Sequence, residues 1–116
     1  MKLELVAGSR PHYWRIYADG ESAGKVFINM IDEAPYGPHP SIQIFLNKAH
    51  QAKGIGPWAY RQACILSGYP KVYAHMRKSN LASQKAAAAA GFIVDPTPQR
   101  QLTMVWAKGS QSRSGR

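Results

Sequence analysis

The chain has 116 residues, 45% of them hydrophobic and 18% charged, which suits one folded domain and excludes a disordered chain. Its single cysteine, Cys64, excludes an internal disulfide framework and a cysteine-based metal site, and no run approaches the ~18 apolar residues of a membrane span. The net charge of +9 points to an anionic partner, and with no secretory leader at its start the chain is expected to be soluble and cytoplasmic.

In chain order, Leu3, Leu5 and Ala7 read as a first short strand, broken by Gly8 to Pro11. Tyr13 to Ala18 is aromatic and β-branched, a second strand, and Asp19-Gly20 is a hairpin signal. A third strand runs from about Gly24 to Ile31, where Val26, Ile28 and Met30 alternate with Phe27, Asn29 and Ile31. Asp32 to Pro40, with three prolines and a glycine, reads as a loop, and Tyr36 within it is a candidate substrate-lining ring. Ser41 to Leu46 is a fourth strand.

Lys53-Gly54-Ile55-Gly56 is a glycine turn, and Pro57 suits the first turn of the helix that follows. A glycine turn feeding a helix N-terminus offers free backbone N–H groups and the positive end of the helix dipole, so an anion is expected on Gln51 to Pro57. The helix spans Gly56 to Ser67, with Trp58, Ala59, Ala63 and Leu66 as its buried face and Cys64 a buried, inert thiol. Gly68 and Pro70 end it. Lys71 to Met76 is a fifth strand, and the strand–helix–strand order makes it parallel to the fourth.

Ser79 or Asn80 can cap a second helix that runs to about Ala90 and holds the Ala86 to Ala90 run. Phe92 to Val94 and Leu102 to Ala107 are the last strands, separated by a turn at Asp95 to Gln99. The reading is thus α/β (α+β): a mixed, mostly antiparallel sheet of about seven strands with two main helices. Residues 1–107 form a single domain, and Lys108 to Arg116 form a disordered basic tail. Between Ala34 and Val94 there is no carboxylate, while that span holds Lys48, Lys53, Arg61, Lys71, Arg77, Lys78 and Lys85. Such a field attracts a polyphosphate cofactor, a nucleic acid or an acidic protein.

Two motifs resemble the GNAT superfamily of N-acetyltransferases. Gln51-Ala52-Lys53-Gly54-Ile55-Gly56, after the strand ending at Leu46, is similar to that family's [Arg/Gln]-x-x-Gly-x-[Gly/Ala] signature. Asn80-Leu81-Ala82-Ser83 and Gly91-Phe92, around the helix after the fifth strand, match its second signature. The resemblance implies acetyl-coenzyme A as cofactor. Its pyrophosphate would rest on the backbone of Gln51, Ala52, Lys53, Gly54, Ile55, Gly56 and Pro57. Its pantetheine arm would bond the backbone near Phe45 and Leu46, and Asn80 would bond the arm. Lys53, Lys85 or Arg77 could reach phosphates.

Departures from the family bear on the acceptor side. Gly8 to His12 leaves no room for the two helices the family places after its first strand. Ala87 stands where many members carry a tyrosine acid, and Pro40 where many carry a glutamate base. The remaining candidates for a catalytic base are His39, His75 and Glu33, since a histidine titrates near neutral pH. The expected reaction is acetyl transfer to a primary amine, on a macromolecule (a protein lysine, an N-terminus or an aminoacyl-tRNA) ahead of a small amine, by a monomer or homodimer. The alternative is a catalytically inactive acyl-coenzyme A-binding or nucleic-acid-binding module of the same fold, using the basic face.

Overall fold

A computed structural model describes residues 1–109. The expected tail falls mostly on 110–116, outside the described residues. The elements are β1 (Leu3–Ala7), β2 (Tyr13–Ala18), β3 (Glu21–Glu33), β4 (Gly37–Leu46), α1 (Ile55–Ser67), β5 (Lys71–Met76), α2 (Leu81–Ala89), β6 (Ile93–Val94) and β7 (Leu102–Ala107). They form one seven-stranded sheet in the order β1-β2-β3-β4-β5-β7-β6. Every neighbouring pair is antiparallel except β4 and β5, the two strands joined through α1.

Period-two alternation sorts the sheet into two faces. Trp14, Ile16, Ala18, Val26, Ile28 and Ile42 point to one side and are buried, with Val72, Ala74, Met104 and Trp106 beside them. The two helices add Ile55, Ala59, Tyr60, Ala63, Cys64 and Ala87 to the same cluster. Each large aliphatic side chain fully buried there contributes about 1.5–3 kcal/mol relative to exposure. The opposite, outer face carries Tyr13, Arg15, Lys25, Phe27, Gln43 and Phe45, all exposed or half-buried.

The sequence placed the third and fourth strands too short. β3 runs on to Glu33 and β4 starts at Gly37, so the expected loop is mostly ladder with a short tip. The prolines misled the reading. Pro38 and Pro40 stand two residues apart in β4, where its other edge is not yet paired, since the β5 ladder has a single register pair, Ser41 with Tyr73. A strand edge without partners tolerates a missing N–H. On α1 the buried face also differs: Leu66 is exposed, Trp58 is half-buried, and Tyr60 takes a core position.

Because Ser41 and Tyr73 form the one register pair between β4 and β5, the remainder of the two strands is unbonded. β4 continues to Leu46 and β5 to Met76 without a ladder between them. This parting of the strands, at the ends that feed α1 and α2, positions the site.

Candidate active site

A cleft of about 650 Å³ lies between Ile44 and Leu46 of β4, the loop at Gln51, Ala52 and Gly54, and Asn80 and Ser83 at the start of α2. Two helix N-termini thus converge on one space, and neither helix has an acid in its first turn. Gly54 caps α1 in the left-handed region at φ 81° and supplies no side-chain bond to the first turn. The first-turn N–H groups of α1 therefore have no side-chain cap, and the dipole end is positive. A Cβ on Gly54 would meet nothing within 4 Å, so its role is conformational; Gly56 instead permits contact, since its Cβ would lie 3.4 Å from the Ala86 Cβ. Ala52 also adopts a left-handed φ of 60°, a strained conformation that bends the loop around the cleft.

The structure places the sequence-derived cofactor residues unevenly. Leu46, Gln51, Ala52, Gly54, Gly56, Pro57 and Asn80 line the cleft. Lys53 is exposed nearby, and Ile55 is fully buried in the core. The Phe45 side chain turns to the outer face, where it stacks on Phe27 and lies under Lys25 Nζ; only its backbone remains on the cofactor strand. Gln51 is held by its own bond to the Leu46 carbonyl at 3.1 Å. Asn80 caps α2, its Oδ1 accepting from the Ser83 N–H at 3.1 Å. Lys85 lines this cleft, whereas Arg77 lines a different one.

Tyr60 has a second role that no sequence motif marks. Its ring packs edge-on against Phe92, yet the residue also lines the cleft. Burial raises its hydroxyl pKa, with Ser83 on α2 partly opposing this by hydrogen bonding. The α1 positions Gly56, Ala59, Tyr60, Ala63 and Cys64 recur on one face, which could have flagged it.

The second half of the site lies on the outer face. His39 is buried in β4, not in a loop, and its Nε2 lies 2.8 Å from His75 Nε2. The remaining nitrogens fix the tautomers. His39 Nδ1 sits 2.6 Å from the Gly37 carbonyl, which can only accept, so it carries a proton. His39 Nε2 is then the acceptor of His75 Nε2–H. That leaves His75 Nδ1 to accept from the Thr103 hydroxyl at 2.8 Å. The neutral pair is therefore an ordered relay from Thr103 through His75 and His39 to Gly37, assigned from the bonding partners.

His75 has its pKa lowered, first by burial and then by the His39 charge, with Glu33 partly raising it. Glu33 is exposed at the end of β3 and lines an outer cleft together with His75. The structure thus brings His39, His75 and Glu33 to one place. Tyr36, at the β3–β4 tip, donates to Asp95 Oδ2 at 2.7 Å, accepts from Gln99 Nε2 at 2.7 Å, and packs 4.7 Å from the Tyr73 ring centroid. Burial, then the Asp95 bond, raise its pKa; the Thr97 N–H, then Tyr36, lower that of Asp95. Thr103 carries no local sequence signal for its role, because the register of β5 against β7 creates its contact with His75; Asp95 carries none because its partner Tyr36 lies 59 positions away.

The profile of the acetyltransferase (GNAT) family matches residues 2–92, so the chain belongs to that family. No curated protein sequence matches it. The fold is similar to that of the aminoglycoside acetyltransferase AAC(6')-Ib in complex with ribostamycin and coenzyme A, with a TM-score of 0.76 and 18% identity over 90% of this chain and 68% of that one. It is also similar to an acetyltransferase from Agrobacterium tumefaciens, with a TM-score of 0.68 and 19% identity over 83% of this chain and 60% of that one. A third likeness is the microcin C7 self-immunity acetyltransferase in complex with acetyl-CoA and AMP, with a TM-score of 0.66 and 20% identity over 82% of this chain and 59% of that one. The chain thus spans about 60% of the length of the Agrobacterium protein.

Proposed function

We propose that the chain is an acetyl-coenzyme A-dependent N-acetyltransferase acting on a primary amine. The observation that carries this is the cleft at the parted strands β4 and β5, with two helix N-termini facing it, that of α1 without a side-chain cap, and the histidine relay on the sheet's other side. Residues Gln51, Ala52, Gly54 and Gly56 would hold the pyrophosphate through backbone N–H groups, with Pro57, which has none, only lining the cleft, and Lys85 and Asn80 would flank the rest of the cofactor. Bound acetyl-coenzyme A supplies an activated thioester.

The chain's own residues supply positioning and proton handling. The amine nitrogen bonds to the acetyl carbon, the carbon–sulfur bond breaks, and the sulfur leaves with the electron pair. The amine loses one proton, and the relay can hold it. Because His75 Nδ1 is already bonded to Thr103, the proton passes through that hydroxyl: the Thr103 oxygen takes the incoming proton as its own hydrogen moves to His75 Nδ1 and the His75 Nε2 hydrogen moves to His39 Nε2. The lowered His75 pKa keeps the ring neutral and ready at neutral pH. Tyr60, protonated there, is the acid that returns a proton to the sulfur, the role for which Ala87 has no functional group.

The outer cleft, over which no helix of the described residues lies, favours an acceptor that brings its own surface, such as a protein or an aminoacyl-tRNA. The test is release of free thiol from acetyl-coenzyme A with a panel of amines, peptides and charged tRNA. Cofactor binding without turnover on any of them would select the inactive-module reading. A second reading rests on the outer face itself. Tyr13, Phe27 and Phe45 stack in a row, with the Arg10 guanidinium 4.9 Å from the Tyr13 centroid and Lys25 Nζ 5.4 Å from that of Phe45. Aromatic and cationic groups interleaved in this way suit nucleic-acid contact, which predicts affinity that falls steeply with salt.

A further inference from the structure

The outer cleft, of about 1030 Å³, is rimmed by Arg77, Lys78 and Arg100, with the Gln99 and Gln101 amides between them and Glu33 as its one acid. The strand register explains why these cations meet. Met76 pairs with Leu102 at the end of the β5–β7 ladder, so the residues just after β5 and just before β7 leave the sheet at the same end. Among the described residues none of the three cations makes an ion pair; the one such contact joins His50 and Glu21, neither of which lines this cleft. Nor does the cofactor cleft account for them. That cleft holds Lys85 and lies on the far side of the Ser79–Asn80 turn. Three uncompensated cations in one concavity favour an anion, and two guanidinium forks suit phosphate in particular.

His75 and Glu33 line the same cleft. An acceptor seated there would present its amine to the relay while its anionic end meets the cations. We infer that the acceptor is a primary amine that carries a phosphate group, with the phosphate held by Arg77, Lys78 and Arg100 and the amine beside His75 and Glu33. This rests on the acetyltransferase reading above. The phosphate takes no part in the bond changes: nitrogen–carbon forms, carbon–sulfur breaks, and the amine proton goes to the relay. A polycationic amine would meet repulsion at the same rim, so the likeness in fold to an aminoglycoside enzyme does not carry its acceptor over.

The experiment compares 6-aminohexyl phosphate with 6-aminohexanol, the same amine and chain with and without phosphate, as acceptors for the full chain with acetyl-coenzyme A. The expected kcat/KM is at least tenfold higher for the phosphorylated amine. That ratio falls toward one in 0.5 M sodium chloride and in the Arg77→Ala/Arg100→Ala variant, and falls part of the way in Arg77→Lys/Arg100→Lys, which keeps the charge and loses the forks and also serves if the alanine variant does not fold. Equal kcat/KM for the two amines overturns the inference and leaves the acetyltransferase reading standing. Calorimetric titration of both amines into the coenzyme A-loaded chain decides without turnover. Binding of the phosphate at least tenfold tighter than the alcohol supports the phosphate site at Arg77, Lys78 and Arg100; the same binding with no acetyl transferred to either amine overturns the acceptor role together with the enzyme reading. Equal or absent binding of the two, with no transfer, removes both.

Discussion

His39 Nε2 and His75 Nε2 lie 2.8 Å apart, so the two rings share one proton and cannot both be charged without strong repulsion. The relay therefore works as one unit, because a proton taken up by His75 changes which ring donates across the shared contact.

The sign of the pH dependence follows from what surrounds His75. Burial, then His39, push its pKa below the usual ~6.5 of a free histidine, and Glu33 opposes them. The acid limb of kcat/KM is expected below ~pH 6.5. Glu33→Gln removes the raising charge and should move that limb further to acid. His39→Gln removes a lowering neighbour and should move it up, while kcat falls by on the order of 10², the scale of a lost proton acceptor. A limb unmoved by either change would exclude the pair as the base.

The same shift reaches folding. Between the lowered folded value and ~6.5 the unfolded chain binds more protons at His75 than the folded one, so stability rises with pH through that window. Stability is lost as pH falls below about 6.5 until the folded ring protonates too. His75→Gln should flatten this segment of a denaturant midpoint-against-pH curve. A curve of unchanged slope would count against the buried neutral ring.

Tyr60→Phe keeps the ring against Phe92 and deletes only the hydroxyl near Ser83. If Tyr60 serves the leaving sulfur, kcat should fall by about 10² with coenzyme A affinity kept, and the loss should be smallest with thioesters whose thiols are more acidic. An unchanged kcat would return Tyr60 to a packing role.

How much of this was legible in the sequence depends on the range of each contact. The glycine turn, Pro57 and the Asn80 cap are local signals, and the elements they mark fall within a residue or two of expectation. The β3–β4 hairpin was cut short because proline weighs against a strand in sequence, whereas Pro38 and Pro40 face an edge without a ladder. His39 and His75 are separated by 36 positions and were singled out only one at a time. Their contact needs the parallel pairing of β4 with β5, and Thr103 needs the β7 register on top of that. Tyr60 carries no motif, and a helix position packed in the core has the same local sequence as one onto which a cleft opens.

Gly54→Glu tests the cofactor cradle. Any L-residue at φ 81° carries about 1–2 kcal/mol of backbone strain, and the carboxylate would stand where the α1 N–H groups point. Coenzyme A affinity should fall by roughly tenfold to a hundredfold, the loss of one or two charge-assisted hydrogen bonds. Gly54→Ala, which adds strain but no charge and has open space for its Cβ, should lose much less affinity. Equal losses in the two variants would mean that backbone geometry, not an anion, sets the binding.

Tyr36 ties the β3–β4 tip to the turn before β7 through bonds of 2.7 Å to both Asp95 and Gln99. Tyr36→Phe removes both while its ring can stay on Tyr73. Asp95 lies near solvent and keeps its bond from the Thr97 N–H, so its carboxylate is rehydrated rather than stranded. The net cost should be about 1 kcal/mol, a Tm lower by roughly 4 °C for a chain of this size. The functional effect should be asymmetric. The tip also carries Glu33 and Ala34 at the outer cleft, while the cofactor cleft shares no residue with it. Loosening the tip should therefore raise KM for the amine several-fold and leave KM for acetyl-coenzyme A near its original value. If both constants rise together, the two clefts are coupled through β4, and the tip acts on the whole strand rather than on the acceptor side alone.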